Sequence, residues 1–189
     1  MLISVIVYLV IIVDQLTKWW AVNKLKPIGE IELIQDALYF KYTTNDGMAF
    51  GLLSNQRWIF LLLTTLIIAG IIVFLVITRE KAKHPLLISA LGLILGGGVS
   101  NMIDRIFFGT ELLCGRVVDF IDFRLINFAV FNIADSAVCV GEALFIIYFL
   151  FVDTKAGKKG FFAFNSDGNK LGKTGDIEKT SEKKADNAR

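Results

Sequence analysis

The sequence predicts an α-helical integral membrane protein, with four transmembrane helices and a small β-rich periplasmic or extracellular platform between helices 1 and 2. Three observations predict this class. The 189-residue chain is 54% hydrophobic with a mean hydropathy of +0.60, too apolar for a soluble domain of ordinary composition. Its apolar residues gather into four runs, each long enough to cross about 30 Å of hydrocarbon as a helix. The polar residues inside three of those runs fall at one depth.

The first run extends from about Leu2 to Val22. It lacks a basic leader, and Asp14 and Lys18 follow its apolar core without a small-residue cleavage pattern, so it reads as a retained span. The outer loop that follows changes character. Ile31 to Ile34 and Leu38 to Thr44 favour strands, and Asn45-Asp46-Gly47 is a turn signal. A small sheet at the outer membrane surface follows from that pattern, able to pair with an extended peptide by strand addition. The second run covers about Trp58 to Ile77, the third about Pro85 to Phe108, and the fourth about Phe128 to Val152. Gly96-Gly97-Gly98 in the third run suits close helix packing.

Lysines and arginines set the orientation. Arg79, Lys81 and Lys83 crowd the short link between the second and third runs, and the tail after Asp153 is lysine-rich. The positive-inside rule places both in the cytoplasm. Both termini are then cytoplasmic, and the segments of roughly 23–57 and 109–127 face outward. Trp19, Trp20 and Trp58 fall near the outer interface. The expected organisation is a membrane-embedded domain at 1–152 and a disordered cytoplasmic tail at 153–189.

Charge and cysteine usage exclude several classes. A net charge of +2 gives no field for nucleic acid. Cys114 and Cys139 fall in different environments, which argues against a disulfide framework. His84 is the one histidine and has no second ligand of its kind, so no metal site is expected.

Within the spans, Asp14 and Lys18 lie four apart on one helical face. Asn101, Asp104 and Arg105 sit at i, i+3 and i+4, and Asn132, Asp135 and Ser136 repeat that spacing. All three stripes lie near the outer ends of their helices, which implies one polar cluster facing the bundle interior. The cytoplasmic halves are almost purely apolar, apart from Glu142. A transporter or channel needs polar groups along a path through the membrane, so a site working at the outer leaflet fits better.

Asp119 and Asp135, 16 residues apart, each sit where a hydrophobic segment meets polar chain. A carboxylate at the rim of a bilayer is unfavourable and is kept for a reason. Two that converge can share a proton and activate a water, which is aspartic protease chemistry. The pair titrates as a unit, so the sequence leaves open which member holds the proton. Asp122, three residues past Asp119, has a weaker claim from context. Structural readings stand beside these. Asp14 with Lys18 also reads as an internal salt bridge, and Asp104 with Arg105 as an interfacial ion pair. Asn101 and Asn132 also read as helix links, and Asn45-Asp46-Gly47 as a plain turn. Two other function classes remain: a proton-coupled transporter using Asp14, Asp104 and Asp135, and an assembly protein whose polar cluster only joins helices.

Five motifs in order carry a resemblance: Asp14-Gln15-x-x-Lys18; Asn45-x-Gly47-x-Ala49-Phe50-Gly51; Gly97-x-x-x-Asn101-x-x-Asp104-Arg105; Val117-Val118-Asp119-Phe120; and Phe131-Asn132-x-Ala134-Asp135. Together they resemble the bacterial lipoprotein signal peptidase family, signal peptidase II, over about Val13 to Gly141. Asp46 and Met48 vary the second motif, and the C-terminal tail lies outside the match. The resemblance implies a membrane aspartyl endopeptidase of the cytoplasmic (inner) membrane, with its active site near the outer leaflet. It would remove the signal peptide of diacylglyceryl-modified prolipoproteins by cutting just before the lipidated cysteine. It implies Asp119 and Asp135 as the catalytic pair, and Asn45, Gly47, Asn101, Arg105, Asn132 and Ala134 as residues lining the site or supporting it. Asp14, Lys18 and Asp104 fall to structural polar roles. Membrane lipids and peptide inhibitors of the globomycin type are implied partners, no cofactor is implied, and nothing in the chain requires more than a monomer.

Overall fold

The computed structural model describes residues 2–45, 57–78, 84–109 and 113–153. In chain order its elements are helix α1 (Leu2–Trp20), strands β1 (Glu30–Ile34) and β2 (Leu38–Asn45), helices α2 (Arg57–Ile77) and α3 (Pro85–Phe107), strand β3 (Val117–Asp122) and helix α4 (Ile133–Ile147). Gly47, the basic link at 79–83 and the tail at 154–189 lie outside the described residues.

The helices are inverted relative to those of a water-soluble bundle. α1 exposes Leu2, Val5, Leu9, Ile12 and Leu16 on one face and buries Asp14 and Lys18 on the other. That pattern suits a lipid exterior and a polar interior. Three helical stretches, Leu2–Ile28, Pro85–Phe107 and Ile133–Val152, have the length and apolarity to cross a membrane, while the apolar stretch of α2, Leu61–Ile77, is shorter.

α3 is the central helix, packed by α1, α2 and α4. Its three consecutive glycines explain how. Successive helical residues turn by about 100°, so each glycine faces a different neighbour. A Cβ on Gly96 would meet Val10 of α1 at 2.8 Å, one on Gly97 would collide with the Ala134 carbonyl and meet Val138 of α4 at 2.7 Å, and one on Gly98 would touch Thr64 of α2 at 3.7 Å. Gly141 of α4 returns the contact against the Ala90 carbonyl of α3 at 2.8 Å. Small residues let helix backbones approach where lipid removes the hydrophobic drive to associate.

α1 runs on through a wider turn (Ala21–Leu25) and a last turn (Lys26–Ile28), and Gly29 at φ 94° ends it. The chain then forms a three-stranded antiparallel sheet in the order β1-β2-β3. The expected strands at 31–34 and 38–44 are both present; β3 lies in a segment read from sequence only as an outward loop. Its residues Val117, Val118, Asp119 and Phe120 are buried. Trp20 stands edge-on to Phe40 and Phe120 at 5.5 and 6.2 Å, tying the end of α1 to the sheet. Trp20 is thus a packing residue, whereas Trp19 and Trp58 are exposed.

The fourth run is not helical from its start. Residues 128–132 are not helical, and Phe131 pairs with Ile121 through Phe131 N–H to Ile121 O (3.0 Å) and Ile121 N–H to Phe131 O (2.8 Å). α4 begins only after Asn132, whose side chain caps it.

Gly97→Val should lower the thermal midpoint in detergent by the equivalent of about 1–3 kcal/mol or more, the usual range for overpacking, because a backbone carbonyl cannot step aside. Gly70→Ala on α2, with open space around it, should leave the midpoint unchanged or raise it; the contrast is read by thermal unfolding of both variants.

Candidate active site

Four elements deliver the site: α1 (Asp14, Gln15, Lys18), the C-terminal end of α3 (Ser100, Asn101, Asp104, Arg105), β3 (Asp119) and the start of α4 (Asn132, Asp135). At its base lies Lys18, 3% exposed. Its Nζ is 2.7 Å from Asp14 Oδ2 and 2.8 Å from Asp104 Oδ2, and it donates to Asn101 Oδ1 at 2.9 Å. That engages all three protons of the ammonium. The Asp14 carboxylate also accepts from the Ser100 hydroxyl (2.7 Å) and from the Ala134 N–H (2.8 Å) in the first turn of α4. Asp104 accepts from Gln15 Nε2 (2.8 Å) and from the Val118 N–H of β3 (3.4 Å).

Two amides carry this order up to the carboxyls. Asn101 Nδ2 donates to Asp135 Oδ1 at 2.8 Å. Asn132 forms a reciprocal capping box with Asp135: Asp135 N–H donates to Asn132 Oδ1 (2.9 Å), and Asn132 N–H donates to Asp135 Oδ2 (3.1 Å). The remaining end of Asn132, Nδ2, donates to Asp119 Oδ1 at 2.7 Å. One residue thus holds both aspartates. Asn45, at the end of β2, also hydrogen-bonds Asp119. The β2–β3 ladder is irregular beside it: Phe40 faces Ile121 and Thr43 faces Asp119, so β2 carries one extra residue there. Such a bulge re-aims neighbouring side chains.

Asp119 is enclosed at 2% exposure, and Asp135 is half-buried. Burial pushes the Asp119 carboxyl up to about 7, and the nearby Asp135 charge adds to the rise, against the hydrogen bonds from Asn132 and Asn45. Arg105 donates to Asn101 O at 3.2 Å, and its charge acts on Asp135, Asp119 and Asp104.

The structure therefore brings Asn45, Asn101, Arg105, Asn132, Asp119 and Asp135 together, over Asp14, Lys18 and Asp104. Asp104 pairs with Lys18 across the bundle. Ala134 lies at the α3–α4 crossing, fully buried, with its N–H on Asp14 and its carbonyl against Gly97. Asp122 points elsewhere, to Arg124 at 3.2 Å, which also pairs with Glu30 at 2.9 Å. Glu142 is exposed on α4 rather than buried in a helix contact. Sequence reasoning gave no role to Gln15 or Ser100. Their signal was position: Gln15 follows Asp14, and Ser100 is four residues before Asp104 on the polar face of α3.

Fold and site together define a helical membrane protein whose buried polar centre carries two neighbouring carboxyls. A sequence model described as signal peptidase (SPase) II matches residues 6–151. The chain belongs to the signal peptidase II family. It is 41% identical over 157 residues to a lipoprotein signal peptidase of Symbiobacterium thermophilum, covering 82% of this chain and 98% of that protein. It is 40% identical over 161 residues to the lipoprotein signal peptidase of Bacillus subtilis, covering 84% and 99%. A solved bacterial membrane enzyme superposes with a TM-score of 0.69 at 33% identity, over 83% of this chain and 92% of that one.

Lys18→Met should destabilise the fold by about 3–5 kcal/mol, because it strands two buried carboxylates. Glu30→Gln, at the exposed Arg124 pair, should leave the unfolding transition in place. Thermal melts of the two variants side by side check both.

Proposed function

We propose that this chain removes the signal peptide from lipid-modified prolipoproteins, as a membrane aspartyl endopeptidase that cuts just before the diacylglyceryl-bearing cysteine. Asp119 and Asp135 are its catalytic pair. The observation that carries the reading is the grip of Asn132 on both carboxyls, at 2.7 Å to Asp119 and 3.1 Å to Asp135. Carboxyls held that close cannot both ionise cheaply, so one keeps a proton.

The ionised member takes a proton from water as the water oxygen bonds to the scissile carbon. The protonated member gives its proton to the carbonyl oxygen. Collapse breaks the C–N bond: the nitrogen takes the proton stored on the first carboxyl, and the second recovers a hydroxyl proton as the new carboxyl forms. Arg105 and Asn45 border the pair and are placed to hold substrate carbonyls. Gly47 belongs to the same loop motif. The chemistry draws on no cofactor.

In this reading α2 crosses the membrane with the other three helices, and the sheet is the outer platform. The active site lies near the outer leaflet of a bacterial cytoplasmic membrane. Both termini are cytoplasmic, residues 153–189 form a tail outside the peptidase domain, and the enzyme acts as a monomer among membrane lipids. Peptide inhibitors of the globomycin type would occupy the pair. The transporter alternative needs polar groups at the opposite end, but there Leu87 and Leu91 of α3 pack with Ile3, Ile71, Phe74 and Phe145.

Asp119→Asn and Asp135→Asn should each reduce cleavage of a lipidated prolipoprotein by purified protein about 10²–10⁴-fold while still showing a cooperative unfolding transition. Wild-type turnover in either would return the assembly reading. The raised carboxyl gives a second expectation: Asp119 holds its proton below about 7 and loses it above. A profile of kcat/KM against pH should fall on the alkaline side of about 7, towards tenfold per pH unit.

A further inference from the structure

An asparagine amide has one accepting end and one donating end, and lysine only donates. Asn101 Oδ1 receives two donors, Lys18 Nζ at 2.9 Å and Asn132 Nδ2 at 3.2 Å. Turning this amide over would set its N–H₂ against both donors and its oxygen against Asp135 Oδ1. Only one orientation survives, the one that presents N–H to Asp135 at 2.8 Å. Asn132 cannot turn over either, because its Oδ1 accepts the Asp135 N–H at 2.9 Å.

Resting on the catalytic pair assigned above, we propose that Lys18 is a positioning residue for catalysis: it locks the Asn101 amide so that Asp135 receives N–H donors on both oxygens and is the ionised member, the base toward water, while Asp119 carries the shared proton. The charged groups acting on Asp135 are Asp14 and Lys18 from α1, Arg105 from α3, and Asp119 from β3, with Asp104 of α3 behind them on Lys18 and Arg105. Lys18 lies between Asp14 and Asp104, so much of its direct attraction for Asp135 is offset. Lys18 reaches Asp135 both by this residual direct attraction and through the amide relay. A purely structural Lys18 would matter to folding and to nothing else.

The test is the pH profile of kcat/KM for full-length protein in detergent, with a lipidated prolipoprotein as substrate. Asn101→Asp keeps an ion partner for Lys18 but offers Asp135 no N–H when ionised. Lys18→Met combined with Asp104→Asn removes one charge of each sign and leaves the Asn101 oxygen with a single donor, Asn132 Nδ2. The acid limb, where the base becomes protonated, is expected to move to higher pH in both. The shift is about one to two units or more in Asn101→Asp, which loses a hydrogen bond to a charged group and gains like charge beside Asp135. It is smaller in the double variant, where Asn132 still holds the amide. An unshifted limb in the folded double variant overturns the role of Lys18. kcat should fall more than KM changes. If turnover by Asn101→Asp is too slow to profile, the Asp135 carboxyl band in infrared difference spectra against Asp135→Asn reports the same shift without turnover. An acid limb or carboxyl band at its wild-type pH in folded Asn101→Asp overturns the lock. Asp119→Asn and Asp135→Asn separate the two levels: if they are inactive while the limb stays put, only the lock fails; if they turn over normally, the catalytic pair itself fails.

Discussion

The Lys18 ammonium lies between the Asp14 and Asp104 carboxylates at 2.7 and 2.8 Å, and alone in that place it would be unfavourable by several kcal/mol. Its charge must be met from inside the protein, and the groups that meet it come from different elements. Asp14 shares its helix, while Asp104 and Asn101 require α3 to stand beside α1 in one register. The carboxylates then spend their remaining acceptor capacity outward. Asp14 takes the Ala134 N–H and so fixes the first turn of α4; Asp104 takes the Val118 N–H and so fixes β3. One buried cation thereby sets the relative positions of the four elements that carry the site.

Satisfying that cluster requires the helices to come close, and the glycines of α3 make this possible. Lipid gives apolar side chains little reason to cluster between helices rather than face outward; α1 turns Leu2, Val5, Leu9, Ile12 and Leu16 outward, while Ile3, Ile6 and Val10 meet α3. The glycines set how closely the helices come: Gly96 lies on the Val10 side chain, Gly97 on the Ala134 carbonyl and Gly141 on the Ala90 carbonyl. Gly97 sits one turn before Asn101, and Ala134 is adjacent to Asp135. The closest approach of α3 and α4 is thus directly below the Asn101–Asp135 hydrogen bond, where an extra methyl group would lengthen it.

The helices, the first two strands and the polar stripes were legible in the sequence because each has a period. Runs of apolar residues mark the spans, alternation marks β1 and β2, and i, i+3, i+4 spacing marks the polar faces of α3 and α4. β3 was not legible. Its residues Val117 to Phe120 are buried on both faces of the strand, so no alternation survives to announce it. The start of α4 was placed early for a related reason: Phe128 and Phe131 are apolar enough to extend the run, although Phe131 is committed to the ladder with Ile121. The members of the cluster could be named from spacing and motif. Its connectivity could not, since the pairing of Asp104 with Lys18 across the bundle depends on which way α3 faces α1.

Two aspartates of identical chemistry occupy this centre in unlike settings, and the difference comes from the backbone. Asp119 stands on a strand whose neighbouring main-chain groups are taken up by the ladder, so its carboxyl relies on side-chain donors, from Asn132 and Asn45, in an enclosed place. Asp135 stands in the first turn of a helix, where N–H groups have no carbonyl partner within the helix and an anion is favoured, and it is half-buried. At Asp119 burial and the neighbouring charge outweigh its two donors and favour the neutral acid; donors on both oxygens at a helix N-terminus work towards the anion. A strand and a helix start brought to one asparagine therefore place like residues in unlike surroundings, which is what the proposed division of one proton draws on. That is the condition under which a pair of carboxyls can act as one acid and one base.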